Sequence, residues 1–217
     1  MKKLFVVCMC LMLSSGLFSA IAGSGHDLSA NGWALGEICI VCHTPHNATL
    51  PMIVPLWNHE TSVAAWAPYV DTGDNTLDSA PGAPQGCSIA CLSCHDGTVA
   101  VDSFGGAAGG TMIGAISATA DIGFDLTDDH PISMTYDAAL AGVDLELYDP
   151  TATAANLPIT PGNIDVAMLK GPGNDQVECC SCHDVHNTEC PACPYLLVKL
   201  NAGAPNESAL CLTCHNK

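Results

Sequence analysis

Four times along this 217-residue chain two cysteines stand three positions apart and a histidine follows at once: Cys39/Cys42/His43, Cys91/Cys94/His95, Cys179/Cys182/His183 and Cys211/Cys214/His215. That spelling reads as covalent c-type haem attachment. Two thiols one short turn apart reach the two vinyl groups of one porphyrin, and the next side chain lies under the iron as a proximal imidazole. A zinc site would instead pair C-x-x-C motifs into a tetrahedron. A histidine directly after the second cysteine in all four copies fits four covalently attached haem c groups, with Cys39, Cys42, Cys91, Cys94, Cys179, Cys182, Cys211 and Cys214 as thioether donors.

The N-terminus sets the compartment. Lys2 and Lys3 precede an apolar run, Leu4 to Phe18, and small residues at Ala20 and Ala22 suit a signal-peptidase site before Gly23. Residues 1–22 are therefore expected to be a signal peptide, and 23–217 one exported tetrahaem domain with no membrane span after cleavage. Loss of Lys2 and Lys3 leaves three lysines against 22 acidic residues, a net charge of −19, and there is no arginine. Such a surface excludes nucleic acid and anionic lipid as partners, and it would steer cationic or metal-ion acceptors by charge. Aromatic residues are 5% of the chain. Porphyrin faces would supply the missing apolar area, so the expected fold is mostly irregular: short helices at the C-x-x-C-H sites, little sheet and a haem-centred core.

The count of imidazoles separates carrier from catalyst. Four irons need eight axial ligands, and nine histidines are present. With His43, His95, His183 and His215 proximal, His26, His46, His130 and His186 are expected as sixth ligands, and His59, beside Trp57 in a proline-bounded apolar segment, as the spare. His46 and His186 each lie three residues after a proximal histidine, too close to pass around the same porphyrin, so each must serve another haem. Pro131 holds His130 extended. Saturated irons carry electrons, whereas haem catalysis needs an open position, so no catalytic residue is expected. Met52, Met112, Met134 and Met168 are expected as apolar filler.

Other stretches carry less. Prolines at 51, 55, 68, 81 and 84 argue against long helices before residue 90. Residues 71–78 mimic part of a calcium loop but lack its alternating acids and closing Glu. The glycines at 105–110 read as a flexible loop. Asn47 and Asn206 head glycosylation sequons, a weak signal here. Cys8 and Cys10 lie in the signal run and are lost with it; of the mature chain, Cys87, Cys180, Cys190 and Cys193 remain outside the haem motifs, and in an oxidising compartment two disulfides are expected, with three pairings open.

The phrases Cys42-His43-Thr44-Pro45-His46-Asn47, Pro55-Leu56-Trp57-Asn58, Cys91-Leu92-Ser93-Cys94-His95-Asp96-Gly97-Thr98 and His130-Pro131-Ile132-Ser133 resemble the paired C-x-x-C-H multihaem cytochromes of metal-reducing bacteria. Length, haem count and the His26-Asp27-Leu28-Ser29 arm are similar to the filament-forming extracellular members of that group. The resemblance implies stacked haems in a continuous chain and self-association into filaments (nanowires). It also implies one iron ligated by a histidine of the adjacent subunit, His46 first and His26 second. Implied partners are redox cytochromes and extracellular metal or other acceptors, at the cell surface or beyond. A soluble periplasmic shuttle and a multihaem reductase are the alternatives. Cys180, Cys190 and Cys193 have no counterpart in the resemblance.

Overall fold

The computed structural model describes residues 21–48, 54–71, 73, 77–200 and 209–216. The signal segment through residue 20, Met52, Thr49 of the first sequon, Thr72 and residues 74–76 of the acidic turn, and Asn206 lie outside them.

Proline governs the first third. Between a 3-10 turn at Gly32–Ala34 and Gly86 the described residues form no helix or strand, and the chain runs extended through turns and isolated bridges. Helix α1, Gly86–His95, begins immediately after Pro84 and buries Ser88, Ala90, Leu92 and Ser93. It ends at the second haem motif. The remaining helices are one or two turns long: α2 Ile113–Ile116, α3 Ala138–Val143, α4 Ile164–Ala167, α5 Cys179–Cys182 and α6 Cys211–Cys214. Isolated helices this short are unstable in water, so each depends on tertiary packing. Asp137 caps α3 by accepting from the Leu140 amide.

Sheet is limited to β1, Met134–Thr135, antiparallel to β2, Gln176–Val177, in the register Met134 to Val177 and Thr135 to Gln176. This pair closes an aliphatic core in the C-terminal half, where Met134, Tyr136, Ala155, Ile164, Met168, Leu169, Val177, Val198 and Leu210 pack together and Cys182 and Cys214 border them. Full burial of a residue such as Ile164 contributes about 1.5–3 kcal/mol. The polypeptide thus has a core of its own beside two of the haem motifs. Met134 and Met168 belong to it, as filler does, while Met112 is exposed.

Two covalent links complete the frame. Cys87 on α1 is bonded to Cys180 on α5, 93 residues away, and Cys190 is bonded to Cys193. The glycine loop at 105–110, expected to be flexible, is pinned instead: the Asp102 carboxylate accepts from the amides of Gly110 and Thr111 at 2.9 and 2.7 Å. Gly109 passes so close to Asp102 that a Cβ there would collide with its backbone. Among the described residues no helix is long and apolar enough to cross a membrane.

Candidate functional site

The four C-x-x-C-H motifs fold alike because each is a single turn with its histidine at the C-terminal end. The amide of His43 bonds the Cys39 carbonyl at 2.8 Å, that of His183 the Cys179 carbonyl at 3.0 Å and that of His215 the Cys211 carbonyl at 2.9 Å. The same turn brings both thiols of a motif to one side, ahead of the imidazole.

A second segment then straps three of the histidines. Thr44 donates its amide to Leu56 and Asn58 donates to Cys42, both at 2.9 Å; 140 residues on, Asp184 donates to Leu196 at 2.7 Å and Val198 to Cys182 at 2.9 Å. At the last motif Asn216 donates to Glu146 and Tyr148 to Cys214. In the first and third motifs the strap also fixes the ring: His43 Nδ1 lies 2.7 Å from the Pro55 carbonyl and His183 Nδ1 2.9 Å from the Tyr195 carbonyl. His95 Nδ1 has the Ala120 carbonyl at 2.7 Å. A carbonyl only accepts, so each Nδ1 carries the hydrogen and each Nε2 keeps its lone pair outward. That is how proteins orient a metal-binding imidazole. Leu56 and Leu196 turn the two straps with φ near +56°, which costs a non-glycine residue about 1–2 kcal/mol.

Three of the expected distal histidines face a proximal one. Ring centroids are 5.9 Å apart for His26 and His95, 6.2 Å for His43 and His186, and 6.4 Å for His130 and His215. Burial, reinforced by His95 and then His183, pushes His26 down to about 4, so its imidazole is neutral at pH 7, the form that binds metal. His130 Nδ1 points at the Pro131 carbonyl, 2.9 Å away. Among the described residues no histidine ring faces His46 or His183, and both are exposed. His59 differs from all of these. It is 1% exposed, with Nδ1 2.7 Å from the Glu60 carbonyl and Nε2 3.0 Å from the Ala100 carbonyl and 3.5 Å from Cys94 Sγ, so both ring nitrogens are enclosed by protein atoms.

The cysteines sort cleanly. Among the described residues all eight motif thiols are unpaired, and the other four cysteines form the two disulfides; Cys8 and Cys10 lie outside the described residues. Burial pushes the Cys42 and Cys182 thiols up to about 11, and Cys94 and Cys214 up to about 12. These are neutral thiols, unlike the thiolates of zinc or redox sites. The Cys91 and Cys179 thiols interact directly, which raises Cys91 and lowers Cys179. Cys42 acts on Cys94, and Cys211 acts on Cys182, so each motif adjoins the next along the chain.

Buried acids that the sequence reading passed over hold these motifs together. Glu178, 2% exposed, precedes Cys179; its carboxylate accepts from the hydroxyls of Ser88 on α1 and Ser133, and its amide donates to Ser181 at 3.0 Å. Asp96, after His95, accepts from Ser62, from Trp66 Nε1 at 3.1 Å and from Thr98. Their only signal in the sequence is adjacency to the motifs. Four buried polar atoms, His26 Nδ1, Trp57 Nε1, Thr61 Oγ1 and Asn187 Oδ1, have no hydrogen-bond partner among the described residues. Among the described residues no three His, Cys, Asp or Glu side chains converge as an all-protein metal site. No family model matches the chain, and no curated protein matches it.

Proposed function

We propose that this chain is a tetrahaem c-type cytochrome whose function is long-range electron transfer outside the cytoplasm, as the subunit of a polymeric filament. The observation that carries the reading is the set of facing imidazoles. A metal–imidazole bond is about 2.0–2.1 Å and the ring centroid lies roughly 1.1 Å behind the nitrogen, so two rings across one metal have centroids about 6.3 Å apart. Three proximal histidines meet a second histidine at 5.9, 6.2 and 6.4 Å. Chance packing gives aromatic pairs anywhere from about 4.5 to 7 Å. It gives no reason for each pair to join one motif histidine to one histidine outside the motifs.

The residues fit the group in three further ways. Eight thiols stay unpaired where the other four cysteines among the described residues are oxidised. Two protein ligands per iron are what a metal already held by four porphyrin nitrogens requires. Trp57 Nε1 and Thr61 Oγ1 are buried donors that a carboxylate-bearing group would satisfy in a chain without arginine.

Bound haem would supply a reversible one-electron couple at each motif. The chain's own part is to set that couple and to exclude other chemistry. Carbonyls of Pro55, Ala120 and Tyr195 hold their histidines in the Nε2-ligating tautomer. His186, His26 and His130 would occupy the sixth positions opposite His43, His95 and His215. The direct contact of Cys91 with Cys179, and the nearness of Cys42 to Cys94 and of Cys182 to Cys211, would keep the four sites close enough for electrons to pass among them.

His46 and His183, each exposed and without a facing histidine ring among the described residues, are the ligands left for a contact between subunits. The test is electron microscopy and spectroscopy of the haem-loaded protein. Wild type should form filaments with four low-spin haems per chain, and His46→Ala should give four-haem monomers with one altered iron. Discrete wild-type particles with every iron saturated would replace the filament by a soluble shuttle; a high-spin haem that takes cyanide would replace it by a reductase.

A further inference from the structure

The straps over His43 and His183 are built alike 140 residues apart, but the third has a left-handed Tyr195 where the first has Pro55, and it alone carries a cysteine pair. Positions 43, 47, 55, 56 and 58 of the first correspond to 183, 187, 195, 196 and 198 of the third motif: the same carbonyl on Nδ1, the same pair of amide bonds, and left-handed Asn47 and Leu56 against Asn187 and Leu196. In that register Leu50 and Ile53 correspond to Cys190 and Cys193. Only the third strap is closed by a disulfide.

The geometry points to the Cys190–Cys193 disulfide as a positioning device for His183, which sets the electron affinity of the site at Cys179/Cys182 through the Tyr195 carbonyl. The inference rests on the haem reading above and deepens it. Cys87–Cys180 spans 93 residues and acts on the whole fold, but Cys190–Cys193 spans three, so what it fixes is the course of one loop. Cys193 leads directly into Pro194, Tyr195 and Leu196, and the last two are consecutive left-handed non-glycine residues, with φ of 56° and 57°. Two such residues in a row persist only where their surroundings over-determine them. The near end is fixed as firmly: the Asp184 carboxylate accepts from the amides of His186, Thr188 and Glu189, and Glu189 in turn accepts from Ile159, Thr160 and the Thr160 hydroxyl. Both cysteines are less than a tenth exposed. The ring they close therefore sits between two anchored ends and holds the Tyr195 carbonyl on His183 Nδ1.

A hydrogen bond from Nδ1–H to a carbonyl raises the basicity of Nε2 and so favours the oxidised metal. Loosening the strap weakens that bond, and the site becomes easier to reduce. His183 is also the proximal histidine that no histidine ring faces among the described residues, so the proposed subunit contact and the disulfide would act on one iron.

The experiment compares the haem-loaded wild type with Cys190→Ser/Cys193→Ser by redox titration under a spectroscopic readout that resolves the four haems. Cys190→Leu/Cys193→Ile, which imports the residues of the other strap, serves if the serine variant loses haem. One haem should become easier to reduce by about tenfold in equilibrium constant, equivalent to about 59 mV for a one-electron couple. The other three, including the one at His43 under the matching disulfide-free strap, should stay unchanged. Four unchanged haems would overturn the inference, as would a uniform shift of all four. A wild type without haem would instead overturn the reading beneath it.

Discussion

Replacing both Cys87 and Cys180 by serine removes the one covalent tie between α1 and α5, and its effect can be worked out from the loop it closes. The two residues are 93 apart in sequence, with Cα atoms 6.3 Å apart. Closing a loop of that length lowers the entropy of the denatured chain by 2.1 + 1.5R ln n, which gives about 4.6 kcal/mol at 25 °C. This is a ceiling, because haem thioethers and iron ligation would already restrict the denatured chain. A loss of about 2–4 kcal/mol is expected. The noncovalent ties across the same junction remain: Ser88 still reaches Glu178 and accepts from the Cys179 amide at 2.9 Å. The folded structure should therefore survive with lower stability. Urea unfolding of haem-loaded protein, followed by circular dichroism, should show a lower midpoint for the double variant, with the slope raised by its more expanded denatured state. A loss below about 1 kcal/mol would refute the argument that this link acts by constraining the unfolded chain.

Two further outcomes follow from single sites. Burial raises the Glu189 carboxyl, but bonds from the Thr160 amide, the Ile159 amide and the Thr160 hydroxyl outweigh it and leave the group below its usual range. Its stabilisation is thus present above the ordinary glutamate value and lost as pH falls through the lowered folded one; Glu189→Gln should flatten the acid limb of a stability-against-pH curve, and an unchanged limb would refute it. The ring planes of His43 and His186 are 13° apart and those of His130 and His215 are 76° apart. Electron paramagnetic resonance of the oxidised protein should then contain a rhombic low-spin signal lost in His186→Ala and a highly anisotropic one lost in His130→Ala; four indistinguishable signals would contradict these pairings.

The sequence and the structure divide the information in a physically sensible way. The four motifs were legible because their chemistry requires contiguous residues, and a single turn contains it. Scarcity of regular structure was legible from the prolines before residue 90. The disulfide pairing was not, since Cys87 and Cys180 are brought together by the docking of α5 on α1. The straps were hidden for a related reason: Pro55 and Tyr195 act through backbone carbonyls, which any residue possesses. Only the left-handed turn beside each leaves a trace, and leucine at that position gives no hint of it. Glu178 and Asp96 sit next to motif residues but reach Ser88, Ser133, Ser62 and Trp66 across long intervals of chain. Periodicity cannot report such contacts.

The sequence divides the nine imidazoles into proximal, sixth-ligand and spare candidates but does not pair them, and geometry supplies pairings. Three pairs face one another, and both ring nitrogens of His59 are enclosed by protein atoms. The two that remain are complementary in kind, since His183 belongs to a C-x-x-C-H motif and needs a sixth ligand, while His46 is a candidate sixth ligand without an iron. On the haem reading two copies can satisfy each other in two ways. A two-fold contact would use both copies' His46 and His183 at once and stop at a dimer, whereas a head-to-tail contact uses one of each and leaves the complementary pair open at the two ends. Only the second propagates. Propagation also requires His46 and His183 to lie on different faces of the subunit, and the facing of His43 by His186 bears on this. His46 follows His43 by three residues and His186 follows His183 by the same step, so on the haem reading one cross-ligation would be completed inside the chain. The equivalent bond from His46 to His183 is absent among the described residues. On that reading a reciprocal pair within the chain would close the molecule, whereas the unreciprocated one would leave a ligand and an open iron for the next copy.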